Sequence, residues 1–428
     1  MVPTCRSDAL AGLASGLMLL GAAGAILPAK AGSPSAPGDG SAVTNQDLLR
    51  PSYEWQPAPS GPLEPETPFY DIDWSLGLRG AYITDQSGSR YQALVLPNIT
   101  LTHTGKRVSF NAGASAQISR LSSGQSTINS LRLSAGSDFA FGDDASLATN
   151  ASFAVTQEDA NNPDVATDVA TTPVKISGAA DAAFTRKLGR LSAIFRGNAE
   201  RDVYGPTTLA DTTKIDNTSQ NLSQLGGGLR LGFELTPILT VFADGSATRQ
   251  VFDAPIPSLG VKLDATNYAF LGGVSAKWND VLQAEISAGV GLDRFDDQSL
   301  GDVRATLYNA SLTFKPNETL TLTGDFSTTI SPPGPDNAGT ARVDYAATGS
   351  ASYLVNQWLD LRASAGWHDA SLADTSNTET GYDLGVGADY TLSKHAKLTA
   401  DYGFGHSTVT PNPAVDTHTV TLGLTFSK

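Results

Sequence analysis

From residue 70 onward, apolar and polar positions alternate one by one. Ile72, Trp74, Leu76, Leu78, Gly80 and Tyr82 are interleaved with Asp73, Ser75, Gly77, Arg79 and Ala81, so one set is mostly apolar and the other polar or small. The same period of two runs through 108–118, 225–235 and 282–292. Such a period predicts extended strands whose two faces meet different surroundings. The runs exceed the roughly five or six residues usual in globular sheets and match the roughly 9–11 needed to cross a bilayer at a tilt. Segments of this kind begin near residues 72, 91, 107, 130, 146, 174, 191, 223, 238, 267, 281, 304, 319, 342, 358, 381, 396 and 417. That makes eighteen strands, with sixteen as the nearest alternative count.

The connections alternate in length. Tight turns are expected at Gly105-Lys106, Gly142-Asp-Asp144, Lys187-Leu-Gly-Arg190, Thr236-Pro237, Asn279-Asp280, Pro316-Asn-Glu318, Asn356-Gln357 and Ser393-Lys-His395. Longer polar stretches such as 158–172, 205–221, 253–266 and 331–340 lie between them. Short turns on one side and long loops on the other predict an all-β fold, a transmembrane antiparallel β-barrel over 70–428 with both termini periplasmic. Lipid offers no partner to an open strand edge, so the sheet has to close. Aromatic residues supply a second signal. Phe141, Phe184, Phe233, Trp278, Phe314, Tyr353, Tyr390 and Phe426 mark the short-turn ends, and Tyr82, Tyr91, Phe153, Tyr268, Tyr345, Trp367, Tyr382 and Phe404 the loop ends. Two rings at fixed depth fit the two water–lipid interfaces.

The N-terminus is organised differently. Arg6, the apolar run 10–27, Pro28 and the small-x-small Ala29-Lys30-Ala31 read as a cleavable signal peptide over 1–31. Residues 32–69 are dense in proline and read as a disordered, extended periplasmic arm. Cys5 is the single cysteine. Export with cleavage would leave no thiol, which removes disulfides, cysteine metal sites and cysteine nucleophiles together.

Charge narrows the function classes. Net charge is −15, against the basic surface that nucleic-acid binding needs. On the predicted inner face stand Arg79, Arg107, Arg132, Lys175, Arg196, Arg230, Lys277, Arg342 and Arg362, opposed by Glu234, Asp244, Glu285, Asp344 and Asp389, among mostly Gly, Ala, Ser and Thr. Leu231, beside Arg230, falls on the lipid face. A closed barrel of this size leaves an aqueous lumen, and these residues are its candidate lining, either as solute contacts or as a lattice that stiffens the wall. The five histidines show no helical metal-pair spacing. Asp401, His406 and Ser407 share one strand, but His406 falls on the face opposite the other two. The acidic stretch 293–302 lacks the ordered spacing of a calcium loop and reads as solvated. No catalytic residue, cofactor or metal is predicted. A plug domain, a secreted passenger and periplasmic repeats are not legible either, which leaves a passive channel, a barrel tied to a secretion complex, or a structural barrel.

The segment Thr421-Leu-Gly-Leu-Thr-Phe426 resembles the terminal signal read by the barrel-assembly machinery. Together with the signal peptide, the short Pro-rich arm and the weakly patterned barrel, it resembles the outer-membrane β-barrel porin family common in alphaproteobacteria (beta-barrel porin 2-like). The resemblance implies a Gram-negative outer-membrane channel for passive diffusion of small hydrophilic solutes. It also implies contact with outer-membrane lipid and lipopolysaccharide, and with the assembly machinery at the C-terminal segment. Some relatives accompany exopolysaccharide export, so the alternative is a barrel of an export system whose arm at 32–69 docks a periplasmic partner.

Overall fold

The computed structural model describes residues 70–428 except 87, 122–125, 158–168, 258, 333–338, 374–377 and 411–412. The expected signal peptide and arm lie outside the described residues. In chain order the strands are β1 (Asp71–Asp85), β2 (Gly88–Thr104), β3 (Val108–Leu121), β4 (Ser126–Ala140), β5 (Ala145–Gln157), β6 (Val169–Thr171), β7 (Val174–Leu188), β8 (Leu191–Tyr204), β9 (Thr207–Leu209), β10 (Lys214–Ile215), β11 (Leu222–Glu234), β12 (Leu239–Phe252), β13 (Ala265–Trp278), β14 (Leu282–Phe295), β15 (Val303–Phe314), β16 (Leu320–Ser331), β17 (Arg342–Asn356), β18 (Leu359–Leu372), β19 (Thr378–Ser393), β20 (Ala396–Val409) and β21 (Val415–Ser427).

Eighteen of these form one antiparallel sheet in which each strand pairs with its neighbours in sequence. The first and last then pair with each other, from Ser75↔Ser427 to Thr84↔His418, so the sheet is a closed barrel. The expected count is the observed one. The short strands β6, β9 and β10 make a separate three-stranded sheet inside stretches expected as loops.

Two boundaries differ from expectation, each for a local reason. The first connection on the loop side is a tight hairpin, with Asp85 paired to Gly88, so β2 begins before Tyr91. β4 begins at Ser126 rather than near residue 130, because a register shift at Gln117/Ile118 breaks the alternation there. At the opposite end, Gly142 (φ +84°), Gly189 (φ +65°) and Asn279 (φ +48°) occupy the left-handed region that tight turns require.

The two faces of the wall separate by chemistry. On β11 the odd-numbered Leu225, Leu229, Leu231 and Phe233 are exposed, and on β14 the even-numbered Ile286 and Val290 are 66% and 63% exposed. Their alternates Ser287 and Asp293 are buried. A water-soluble sheet would reverse this arrangement; a lipid-facing wall produces it.

One apolar cluster lies on the other face, at the loop end. Leu222, Phe252, Leu263, Ala265, Phe295 and Ala341 are buried together, with Ile256, Leu300, Val303, Ile330 and Ala373 packed against them. Burying each Leu or Phe is worth about 1.5–3 kcal/mol. The cluster ties the connections after β12 and β14, and Ala341 just before β17, to the loop-side ends of β11, β12, β13 and β14.

A charged inner wall as the candidate functional site

Strand register sets which charges meet. Arg230 on β11 pairs across the ladder with Asp244 on β12, and both fall on the face opposite the exposed leucines. Asp244 is 3% exposed and is the hub of the group. Arg230 Nε donates to its Oδ2 at 2.9 Å, and Arg196 of β8 donates to its Oδ1. Arg230 also reaches past β12 and β13 to β14, where Nη1 and Nη2 donate to the two oxygens of Glu285 at 3.0 and 2.8 Å. A contact spanning three strand spacings is natural on a concave surface. Below the guanidinium lies the Phe242 ring, 4.0 Å from Cζ to centroid. Two cations and two anions make the group neutral, which offsets the cost of desolvating Asp244.

Three further clusters follow the same logic. Arg362 on β18 pairs with Asp389 (3.1 Å) and, beyond β19, with Asp401 (2.7 Å). Thr399 Oγ1 donates to Asp389 at 2.8 Å. Arg342 on β17 pairs with Asp344 and, at 2.8 Å, with Glu379 of β19. Ser331 donates to Asp344, and His368 Nε2 stands 3.7 Å from Glu379. Lys175 on β7 pairs with Asp202 at 3.0 Å and sits over the Tyr204 ring.

Nine of the fourteen candidates therefore meet in ion pairs: Lys175, Arg196, Arg230, Asp244, Glu285, Arg342, Asp344, Arg362 and Asp389. Arg79, Arg132, Glu234 and Lys277 lie on the inner register of their strands but make no ion pair among the described residues. Arg107 is outside the strands altogether, exposed in the turn before β3. Sequence reasoning missed Glu379 and His368. Glu379 alternates with the exposed Tyr382 and Leu384 and could have been found by parity, but the strand was expected to start two residues later.

The structure does not gather the remaining candidates. Asp401 is engaged by Arg362 inside the barrel, while His406 Nδ1 contacts Asp416 Oδ1 at 2.6 Å and its ring stacks on Tyr382 on the other face. In 293–302, Asp297 accepts from the backbone and hydroxyl of Ser299, and Asp296 is held by Arg249. Among the described residues no group of three acidic, histidine or cysteine side chains is placed to hold a metal.

The family described as Putative beta-barrel porin 2 matches residues 81–428. The chain belongs to that family. It is an outer-membrane, porin-like channel, and family and fold together indicate a channel rather than an enzyme. Among solved structures, Pseudomonas aeruginosa OpdK with vanillate is 11% identical, with a TM-score of 0.42 covering 84% of this chain and 99% of that one. Pseudomonas aeruginosa OccK2 (OpdF) is 9% identical, with a TM-score of 0.44 covering 84% and 98%. The siderophore receptor PirA from the same organism is 14% identical, with a TM-score of 0.41 covering 83% and 80%. No curated protein matches the chain.

In this porin the inner aromatic residues are committed elsewhere. Phe252 and Phe295 belong to the apolar cluster, Phe242 lies under Arg230, and Tyr204 lies under Lys175.

Proposed function

We propose that the porin passes small hydrophilic solutes by passive diffusion through the lumen, without an energy source. The observation that carries this reading is the placement of the inner charges. The ion pairs join strands no more than three apart along the wall, so they line the barrel without bridging it. Closed barrels of sixteen to eighteen strands leave an aqueous channel. The inner-register candidates from Arg79 to Asp389 form the lining, and the neutral hub at Asp244 orders one arc of it. Purified protein in a planar bilayer is expected to give a stable, open conductance linear in voltage. Silent membranes carrying verified, folded barrel would refute the channel.

The same reading places the long loops outside the cell and both termini in the periplasm, with residues 1–31 removed and 32–69 as a periplasmic arm. The wall then faces outer-membrane lipid, and β21, with Phe426 exposed on its outer face, presents the segment that the assembly machinery reads. Tags in the loops 158–172 or 331–340 should bind antibody on intact cells, and a tag at Thr236-Pro237 should not. Sequencing of the membrane-bound protein should begin near Gly32. The reverse tag pattern would invert the topology, and a start at Met1 would remove the signal peptide.

A further inference from the structure

The outer face of the wall carries a charged feature that the channel does not use. At the loop ends of β8, β12, β14 and β15, the lipid-facing register holds Arg201, Arg249, Arg294 and Arg304. Exposed apolar neighbours of the same parity fix that register: Phe195 on β8, Val251 on β12, Val290 on β14 and Tyr308 on β15. Pairing places Arg201 beside Ser223, both Arg249 and Arg294 beside Thr266, and Arg304 beside Leu292. The four arginines thus form one arc across six consecutive barrel strands, about 24 Å wide at roughly 4.8 Å per strand.

Two of them are oriented by carboxylates. Arg201 donates twice to Asp253, at 2.9 and 2.5 Å, and Arg249 donates twice to Asp296. These guanidiniums hold the Asp253 and Asp296 carboxyls below the usual carboxylate range. Arg294 and Arg304 are exposed and make no salt bridge or side-chain hydrogen bond among the described residues. Tyr308 and Tyr268 lie on the same face, nearer the middle of the wall. Aromatic ring, then arginine, then loop is the order expected where a barrel passes through the headgroup layer. On the arc from β18 through β21 to β2, the corresponding positions carry Trp367, Tyr382, His406 and His418 and no arginine or lysine among the described residues. Outside the β8–β15 arc, Arg120 at the loop end of β3 is also exposed on this register, so the basic charge is concentrated on one arc without being confined to it.

Two unpaired guanidiniums on adjacent strands at headgroup depth offer paired N–H donors, and a planar fork of such donors matches phosphate oxygens. We propose that this arc docks a phosphorylated glycolipid of the outer leaflet, with Arg294 and Arg304 holding its phosphate groups and the pairs at Arg201 and Arg249 bounding the site. The assignment to the outer leaflet rests on the topology given above; the phosphate contact does not.

Delipidated porin in non-ionic detergent, examined by native mass spectrometry, should retain added diphosphoryl lipid A over its dephosphorylated form and over phosphatidylcholine. The Arg294→Gln/Arg304→Gln double variant should lose retention on the order of tenfold, as expected when a favourable charged contact is removed. Arg294→Lys/Arg304→Lys should recover part of it, and planar-bilayer conductance should be unchanged in both, which separates loss of charge from misfolding. Equal retention by the Gln variant, or equal retention of the dephosphorylated lipid, would overturn the site. Lipid retention combined with loop tags shielded on intact cells would overturn the leaflet assignment alone.

Discussion

Leu229→Arg is expected to destabilise the folded barrel by roughly 2–4 kcal/mol, the range for a guanidinium forced toward the bilayer midplane. Leu229 stands at the middle of β11, exposed on the lipid face, flanked by Phe195 and Gly245 on the adjoining strands. Leu231 shares that face but is only three residues from the end of the strand, beside Phe233 of the aromatic ring. Leu231→Arg should therefore cost less, because the longer side chain can reach the interface. Equilibrium unfolding from lipid vesicles, followed by tryptophan fluorescence, gives both values. Equal destabilisation by the two variants would show that depth does not control the cost, and no effect from Leu229→Arg would mean that this face is not against lipid.

Asp244→Ala should act on stability and selectivity together. It leaves Arg196 without its carboxylate and Arg230 with only Glu285. Removing a partner of a buried charged hydrogen bond costs about 1–3 kcal/mol, and the water that reaches both partly exposed arginines favours the lower part of that range. The hub also changes from neutral to net positive. Reversal potentials measured in a salt gradient should therefore shift toward anions. Asp244→Asn keeps the side-chain volume and removes the charge, so it should reproduce the selectivity shift with a smaller loss of stability. A reversal potential unchanged in both variants would mean that solutes do not sense this arc of the wall.

Much of the architecture is legible in the chain because one physical demand, lipid on one face, repeats in every strand. A period of two carries strand count and face assignment even where a boundary slips by several residues, as at β4. What the period cannot carry is any feature made where alternation stops. The hairpin between Asp85 and Gly88 is invisible because polar residues suit a tight turn as well as a long loop. The buried group around Leu263 draws on residues between strands, where no register exists. Among inner charges, parity gives the face and not the partner. Arg230 and Asp244 are direct ladder neighbours, whereas Arg230 and Glu285 meet across two intervening strands, and no sequence spacing encodes that contact.

The pairing of β1 with β21 bears on how the porin is made. The other ladders join strands close in sequence and can zip as short-range events, but this one joins Ser75 to Ser427. It raises the contact order of the barrel and slows folding more than it changes stability, since loop-closure entropy grows only logarithmically with length. Until that last ladder forms, β1 and β21 both offer bare backbone edges to any extended chain nearby. The vulnerable species is therefore a nearly complete barrel with two sticky rims, and a factor that held those two edges would act at the slowest step of folding.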